Sequence, residues 1–200
     1  MRQLTARLVA RDARDPADAA ALKAQQAAHE RAIEEYAGDD PLAPWLAYLT
    51  WMKHSFPTDS EGSVAQTLTK VTDLFSSDAR YTNSSRYVKL WVERAVIHEK
   101  LALEIFQHMH AKNIGGDLAI FWNGYALVAE RAQNFLLADK VFTEGLARGA
   151  KPVETLRKKR RQFNRRLVRH TLNRQMADDA AETIDTAVAS DAVVGAAASE

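Results

Sequence analysis

Apolar positions along this chain recur at intervals of three and four, in blocks separated by short polar or Gly/Pro-bearing breaks, and no stretch alternates convincingly with period two. The pattern predicts helix after helix. A first helix is expected from about Pro16 to Tyr36, with Asp15 as N-cap, Pro16 at the first helical position and Gly38 ending it. Asp40 then reads as the cap of a second helix, followed by Pro41, with Leu42, Trp45, Leu46, Leu49 and Met52 as its buried stripe. Pro57 and Gly62 bracket a loop, after which Ser63 opens a helix bearing Val64, Leu68, Val71, Leu74 and Phe75. A polar stretch from Ser76 to Ser85 leads to a helix with Tyr87, Leu90, Trp91 and Ile97, and a short partner helix carries Leu101, Ile105, Phe106 and Met109. Asn113-Ile114-Gly115-Gly116 is the sharpest break, with Asp117 as the expected cap of the next helix. A third pair runs from Leu118 to Arg131 and from Phe135 to Ala147. Beyond Gly149 and Pro152 a last helix covers roughly 153–176, with Leu156, Phe163 and Leu167 on its apolar side.

Each helix pair opens on a tryptophan: Trp45, Trp91 and Trp122. From Trp122 the chain continues with Ala126, Ala138, Phe142 and Gly145, the Trp, small, Ala, Phe, small order of tetratricopeptide (TPR) units of ~34 residues. Small residues let antiparallel helices approach closely, while Trp122 and Phe142 fill the gap to the neighbouring pair. The expected fold class is all-α: a TPR-like right-handed helical-repeat solenoid of about three helix pairs, with a flanking N-terminal helix and a basic C-terminal capping helix. Such arrays bind other chains on their faces, so a protein-interaction role is expected before any chemistry. Aromatic stripes at helical spacing are usually core, which places Trp45, Trp51 and Trp122 between helices; Trp91 is left open between core and surface.

Composition adds an asymmetry. The 200 residues carry a net charge of +1, yet residues 177–200 hold six acidic residues and no Lys or Arg, so residues 1–176 carry +7. That tail has no bulky apolar residue beyond Ile184 and three valines, and reads as disordered. The expected organisation is a poorly defined segment at 1–15, a TPR-like domain at 16–176 and an acidic tail at 177–200. No run reaches the ~20 apolar residues of a membrane span, and nothing at the N-terminus has the length of a signal peptide. An intracellular, soluble protein is expected. The basic residues Arg157 to Arg169 read first as the solvated side of a capping helix, with nuclear import or an acidic partner as alternatives. Nucleic-acid binding is disfavoured because no aromatic platform is interleaved with them.

Neither cofactor nor metal is expected. The chain has no cysteine, and His108 and His110 are two apart on a helix, facing different directions. Glu34-Glu35 and Asp39-Asp40 are explained by a helix surface and by capping. There is no nucleophile elbow, no phosphate-cradling glycine loop and no kinase signature, so the chain itself is not read as an enzyme; a kinase domain downstream is left open.

Strings outside the repeat consensus carry a resemblance. Gly38-Asp39-Asp40-Pro41-Leu42 with Trp45, Tyr48, Trp51 and Phe56-Pro57 comes first, then Arg80-Tyr81, Arg86-Tyr87 and Leu90-Trp91. Asn113-Ile114-Gly115 with Leu118-Ala119 and Phe121 comes next, then Phe135, Ala138-Asp139, Val141-Phe142, Glu144-Gly145, Ala150, Pro152, Leu156 and Gln162-Phe163. In this order, over roughly residues 25–170, they resemble the N-terminal domain of the Bub/BubR/Mad spindle-checkpoint family. The resemblance implies a nuclear protein, at kinetochores in mitosis, that docks a short helical motif of the large kinetochore scaffold protein. Other checkpoint proteins and the activator of the anaphase-promoting complex are further implied partners. Carried over by residue, the docking surface would be Trp91, Arg94, Ile97, His108 and Phe142, on the convex side around the second repeat. Arg94 and His108 stand where the family more usually has an aliphatic and an aromatic residue. The Lys-Glu-Asn box of the BubR/Mad branch is not among these residues, so the branch stays open. A generic peptide-binding TPR adaptor and an RNA-processing half-a-TPR protein are the alternatives. A capped solenoid has no need to self-associate, so a monomer is expected.

Overall fold

A computed structural model describes residues 16–56 and 62–197, and among them the chain is a succession of eight α-helices with two short 3-10 turns and no strand. They are α1 (Pro16–Glu34), α2 (Leu42–Ser55), α3 (Ser63–Leu74), α4 (Ser85–Ile97), α5 (Ala102–Ala111), α6 (Ala119–Arg131), α7 (Phe135–Ala147) and α8 (Val153–Ala197), with the 3-10 turns at Ala79–Tyr81 and Glu99–Leu101. Each helix packs on the next, and α6 also meets α4 and α8, which makes the array TPR-like. The segment 1–15, the proposed N-cap Asp15 and most of the Pro57–Gly62 loop lie outside the described residues.

One core runs the length of the array, from Leu42 on α2 to Phe163 on α8. The apolar stripes predicted from spacing supply it: Trp45, Leu49 and Met52, then Val64, Leu68 and Val71, then Ile105, Phe106 and Met109 are all buried. The α6–α7 pair approaches closely. A Cβ on Gly145 would lie 2.5 Å from the Trp122 ring, so the helices meet closely only because residue 145 has no side chain. Trp122 is fully buried and its indole N–H donates to the Gly116 carbonyl at 2.7 Å. Gly115 sits at φ 78°, the left-handed turn expected of the Asn113–Gly116 break.

Two expected caps do other work. Asp40 does not cap α2; the N-cap position is Pro41, which makes no side-chain cap bond. Its carboxylate accepts from the Tyr81 hydroxyl at 2.7 Å and from Arg86 at 2.8 Å, while the Leu42 N–H donates to Tyr81 Oη at 3.2 Å. The helix start is thus satisfied by a tyrosine 39 residues away. Asp117 likewise leaves the α6 terminus uncapped and accepts from Asn83 at 2.8 Å. Its carbonyl accepts from the Lys151 N–H, and the Lys151 carbonyl accepts from the Ala119 N–H, both at 2.8 Å. This short parallel bridge roots α8 beside the start of α6.

The last helix departs furthest from expectation. It continues past residue 176 to Ala197, through most of the stretch read as disordered. No proline or glycine falls between Val153 and Val194, and the acidic stretch is rich in alanine, so nothing local breaks the helix.

Candidate docking site

The residues carried over from the resemblance sit on α4, α5 and α7, and the structure brings three of the five together. Trp91, on the middle of α4, is only 2% exposed. The Arg94 guanidinium lies over its ring, 5.0 Å from the centroid, and the exposed His108 of α5 stacks on it at 5.5 Å with planes 28° apart. Tyr87, one turn earlier, meets the indole edge-on at 6.3 Å and donates its hydroxyl to the Thr72 carbonyl of α3. Burial pushes the Tyr87 phenol up to about 12, so it remains a donor at any physiological pH. Arg94 is oriented from α3 as well, donating to Thr72 Oγ1 at 2.8 Å and pairing with Asp73 at 2.6 Å. Ile97, three residues after Arg94, is half-buried and packs against the core.

Trp91, left open between core and surface, and Phe142, carried over to the docking surface by the resemblance, are both inside. Phe142 is 2% exposed and packs on Phe163 of α8 at 5.5 Å, one helix layer away from Trp91. Sequence spacing placed both on the right helices but could not tell which would be covered. The coverings are Arg94, which is three residues on and so on the same side of α4, and His108, which arrives from α5. The Arg94 side chain is only 17% exposed and already paired with Asp73, so what this patch shows to solvent is chiefly the His108 ring over a covered indole.

A second concavity opens on the other side of α4. Val92 and Val96, each two residues from Arg94 and so about 200° around the helix, join Leu103, Phe106, Ile120 and Leu127 in lining a groove of about 620 Å³ between α4, α5 and α6. Sequence reasoning did not identify it; the exposed Val96 and Leu127 were its only trace. Among the described residues no group of three His, Cys, Asp or Glu comes together and no helix is long and apolar enough to cross a membrane.

The polar clasp at the start of α2 and the glycine turn before α6 are built from the very strings that carry the resemblance, and a family model described as Mad3/BUB1 homology region 1 matches residues 24–146. The chain belongs to this family. It is 30% identical over 168 residues to the human mitotic checkpoint serine/threonine-protein kinase BUB1 beta, covering 84% of this chain and 16% of that protein. It is 34% identical over 141 residues to the Arabidopsis thaliana mitotic spindle checkpoint protein BUBR1, covering 70% of this chain and 35% of that one. This chain thus spans a minor part of those relatives. Among solved structures it superposes with a TM-score of 0.73 on a chain of the mitotic checkpoint complex, at 28% identity over 78% of this chain and 74% of that one. The conserved N-terminal domain of BUB1 shares the fold, with a TM-score of 0.71 at 23% identity over 76% of this chain and 80% of that domain. The matched region is a helical, non-catalytic domain of this family.

Proposed function

We propose that this chain is the docking domain of a mitotic spindle-checkpoint protein, and that it recruits that protein to the kinetochore by binding a short helical motif of the kinetochore scaffold. The observation that carries the proposal is the Arg94–Trp91–His108 stack. It lies within the residues that match the family, on the helix pair where the resemblance places docking, and it leaves the His108 ring exposed on top of the buried indole. A visiting amphipathic helix would lay its apolar side against the His108 ring and half-buried Ile97, beside the Arg94–Asp73 ion pair. Trp91 acts from beneath by fixing the two covering side chains, and Phe142 only by holding α7 against α8. Similarity to a chain of the mitotic checkpoint complex supports other checkpoint proteins as further partners, with the anaphase-promoting complex activator the more distant proposal. Nuclear residence, with kinetochore localisation in mitosis, belongs to the same reading.

The test is a titration of the chain with a synthetic peptide of the scaffold's helical motif, monitored by fluorescence anisotropy. Arg94→Glu combined with His108→Ala should weaken binding at least tenfold, about 1.4 kcal/mol, while the helical circular dichroism stays intact. Undiminished affinity in a folded double variant would remove this surface from the reading.

A further inference from the structure

The groove on the far side of α4 has a chemistry of its own. Along α6 its wall is Ile120, Asn123, Leu127 and Arg131, spaced at three and four residues and so on one side of the helix. Val92 and Val96 of α4 complete the apolar lining, and Val96 and Leu127 are 63% and 41% exposed. Phe106 of α5 is fixed between them. Its ring lies so close to the bare α6 backbone at Gly124 that an added Cβ would come within 2.7 Å of it. The same ring stacks on Tyr125 at 5.8 Å with planes 3° apart.

Polar groups interrupt this lining at few points. Asn123 is half-buried, and among the described residues its amide has no hydrogen-bond partner. Arg131 is eight residues further on, about 12 Å along α6, and Lys100 comes from the 3-10 turn after α4. Both are exposed, and among the described residues no ion pair holds either. Glu99 is the one carboxylate of the lining, so two cations against one anion leave a net charge of +1. We infer that the groove binds an extended peptide segment of a partner protein, with bulky apolar side chains against Val96 and Leu127 and an acidic side chain toward Lys100 and Arg131. The groove shares no residue with the Arg94–Trp91–His108 stack and does not depend on the role proposed for it.

Asn123 selects the form of the occupant. Its amide offers donors and an acceptor together, the complement of one peptide unit. An extended segment has peptide groups free to meet it. A helix has satisfied its backbone internally and a hydrocarbon chain has no polar group to give, so either would cover the amide and leave it unpaired. The lengths agree, because at about 3.3 Å per residue the span from Asn123 to Arg131 is three to four residues of extended chain. Alternate side chains of such a chain point the same way, so two apolar residues one position apart can both face the groove. The two cations select the sign. Residues 1–15 of this chain, with four arginines against two aspartates, carry the wrong charge for that end of the groove.

Selection of random linear peptides, displayed on phage, against the purified chain tests the proposal. Enriched peptides should share two bulky apolar residues at alternate positions and an Asp or Glu within about four residues of them. A synthetic copy of one, followed by fluorescence anisotropy, should bind at least about tenfold more weakly to Val96→Asp with Leu127→Asp, and to Lys100→Glu with Arg131→Glu. All four positions are exposed, so the helical circular dichroism of both variants should match the parent. Exchanging the peptide's acid for Lys should restore binding to the Lys100/Arg131 variant and abolish it for the parent. Asn123→Ala should also weaken binding, and the peptide should gain no helical signal when bound. Arg94→Glu with His108→Ala should leave this affinity unchanged, which separates this groove from the site proposed for the scaffold motif. No enrichment, undiminished binding to the Val96/Leu127 variant, indifference to the charge reversal, or helix formation on binding would each overturn the inference. So would sedimentation showing self-association of the chain that Leu127→Asp abolishes, since a second copy would then fill the groove.

Discussion

The two ends of the helical body are fastened by different physics. At the α6–α7 pair the fastening is contact: Trp122 is fully buried over the bare backbone of Gly145, and the ring has no room to move. At the start of α2 it is a polar clasp in which Asp40, Tyr81, Arg86 and the Leu42 N–H share a chain of hydrogen bonds, with Arg80 reaching the Asp39 carbonyl at 2.8 Å. The contact fastening matches the repeat consensus and is shared by helical-repeat proteins in general. The clasp is built from Gly38–Leu42, Arg80-Tyr81 and Arg86, the strings that set this family apart. Family identity here is thus written in joints between helices as well as in Leu90-Trp91, the string at the centre of the patch proposed to meet a partner.

The sharpest way to test that contrast is by denaturation. Trp122→Ala should be the most damaging single change, at about 3–5 kcal/mol for a fully buried aromatic, read as a fall in the urea midpoint. Gly145→Ala adds only one methyl, yet it must displace the indole or separate the helices, and about 1–3 kcal/mol is expected. Tyr81→Phe should come next at about 1–2 kcal/mol, because it strands the Leu42 N–H and removes a donor from Asp40. If Tyr81→Phe matched Trp122→Ala, the contrast between contact and clasp would collapse.

The smallest effect is the acid response. Donation from the Tyr81 hydroxyl, helped by Arg86, holds the Asp40 carboxyl below the ordinary carboxylate range, against partial desolvation that acts the other way. A lowered carboxylate contributes stability that is present above its unfolded value of about 3.9 and is lost as pH falls through the folded value. Asp40→Asn should therefore narrow its gap to the parent chain below about pH 4. Because the group is partly exposed, the gap at neutral pH should stay within about 1 kcal/mol. A gap unchanged between pH 7 and pH 3 would show that the clasp does not depend on this charge.

Much of the fold was legible because helix-spaced stripes such as Leu42–Met52 and Val64–Val71 are also the buried stripes. Local grammar was less informative at helix ends. Asp40 and Asp117 sit where caps belong, but their partners, Tyr81 and Asn83, come from far along the chain, and spacing carries no trace of them. The same holds for Trp91: the period put it on α4, but only the arrival of His108 from α5 and the turn of Arg94 over the ring decide that it is covered. The end of α8 was misplaced for the opposite reason. Low hydrophobicity suggested disorder, while the absence of any Pro or Gly before Gly195 lets the helix run on.

The short backbone bridge between Asp117, Ala119 and Lys151 has a mechanical consequence. With Leu156 and Phe163 buried and Phe135 meeting His170, it holds α8 on the body as far as residue 170; the remaining turns extend about 40 Å, so a bend of a few degrees where the helix leaves the body would move the far tip by a few ångströms. The domain thereby carries an arm whose direction is fixed by its first five turns against the body, with Lys151's two hydrogen bonds at its base.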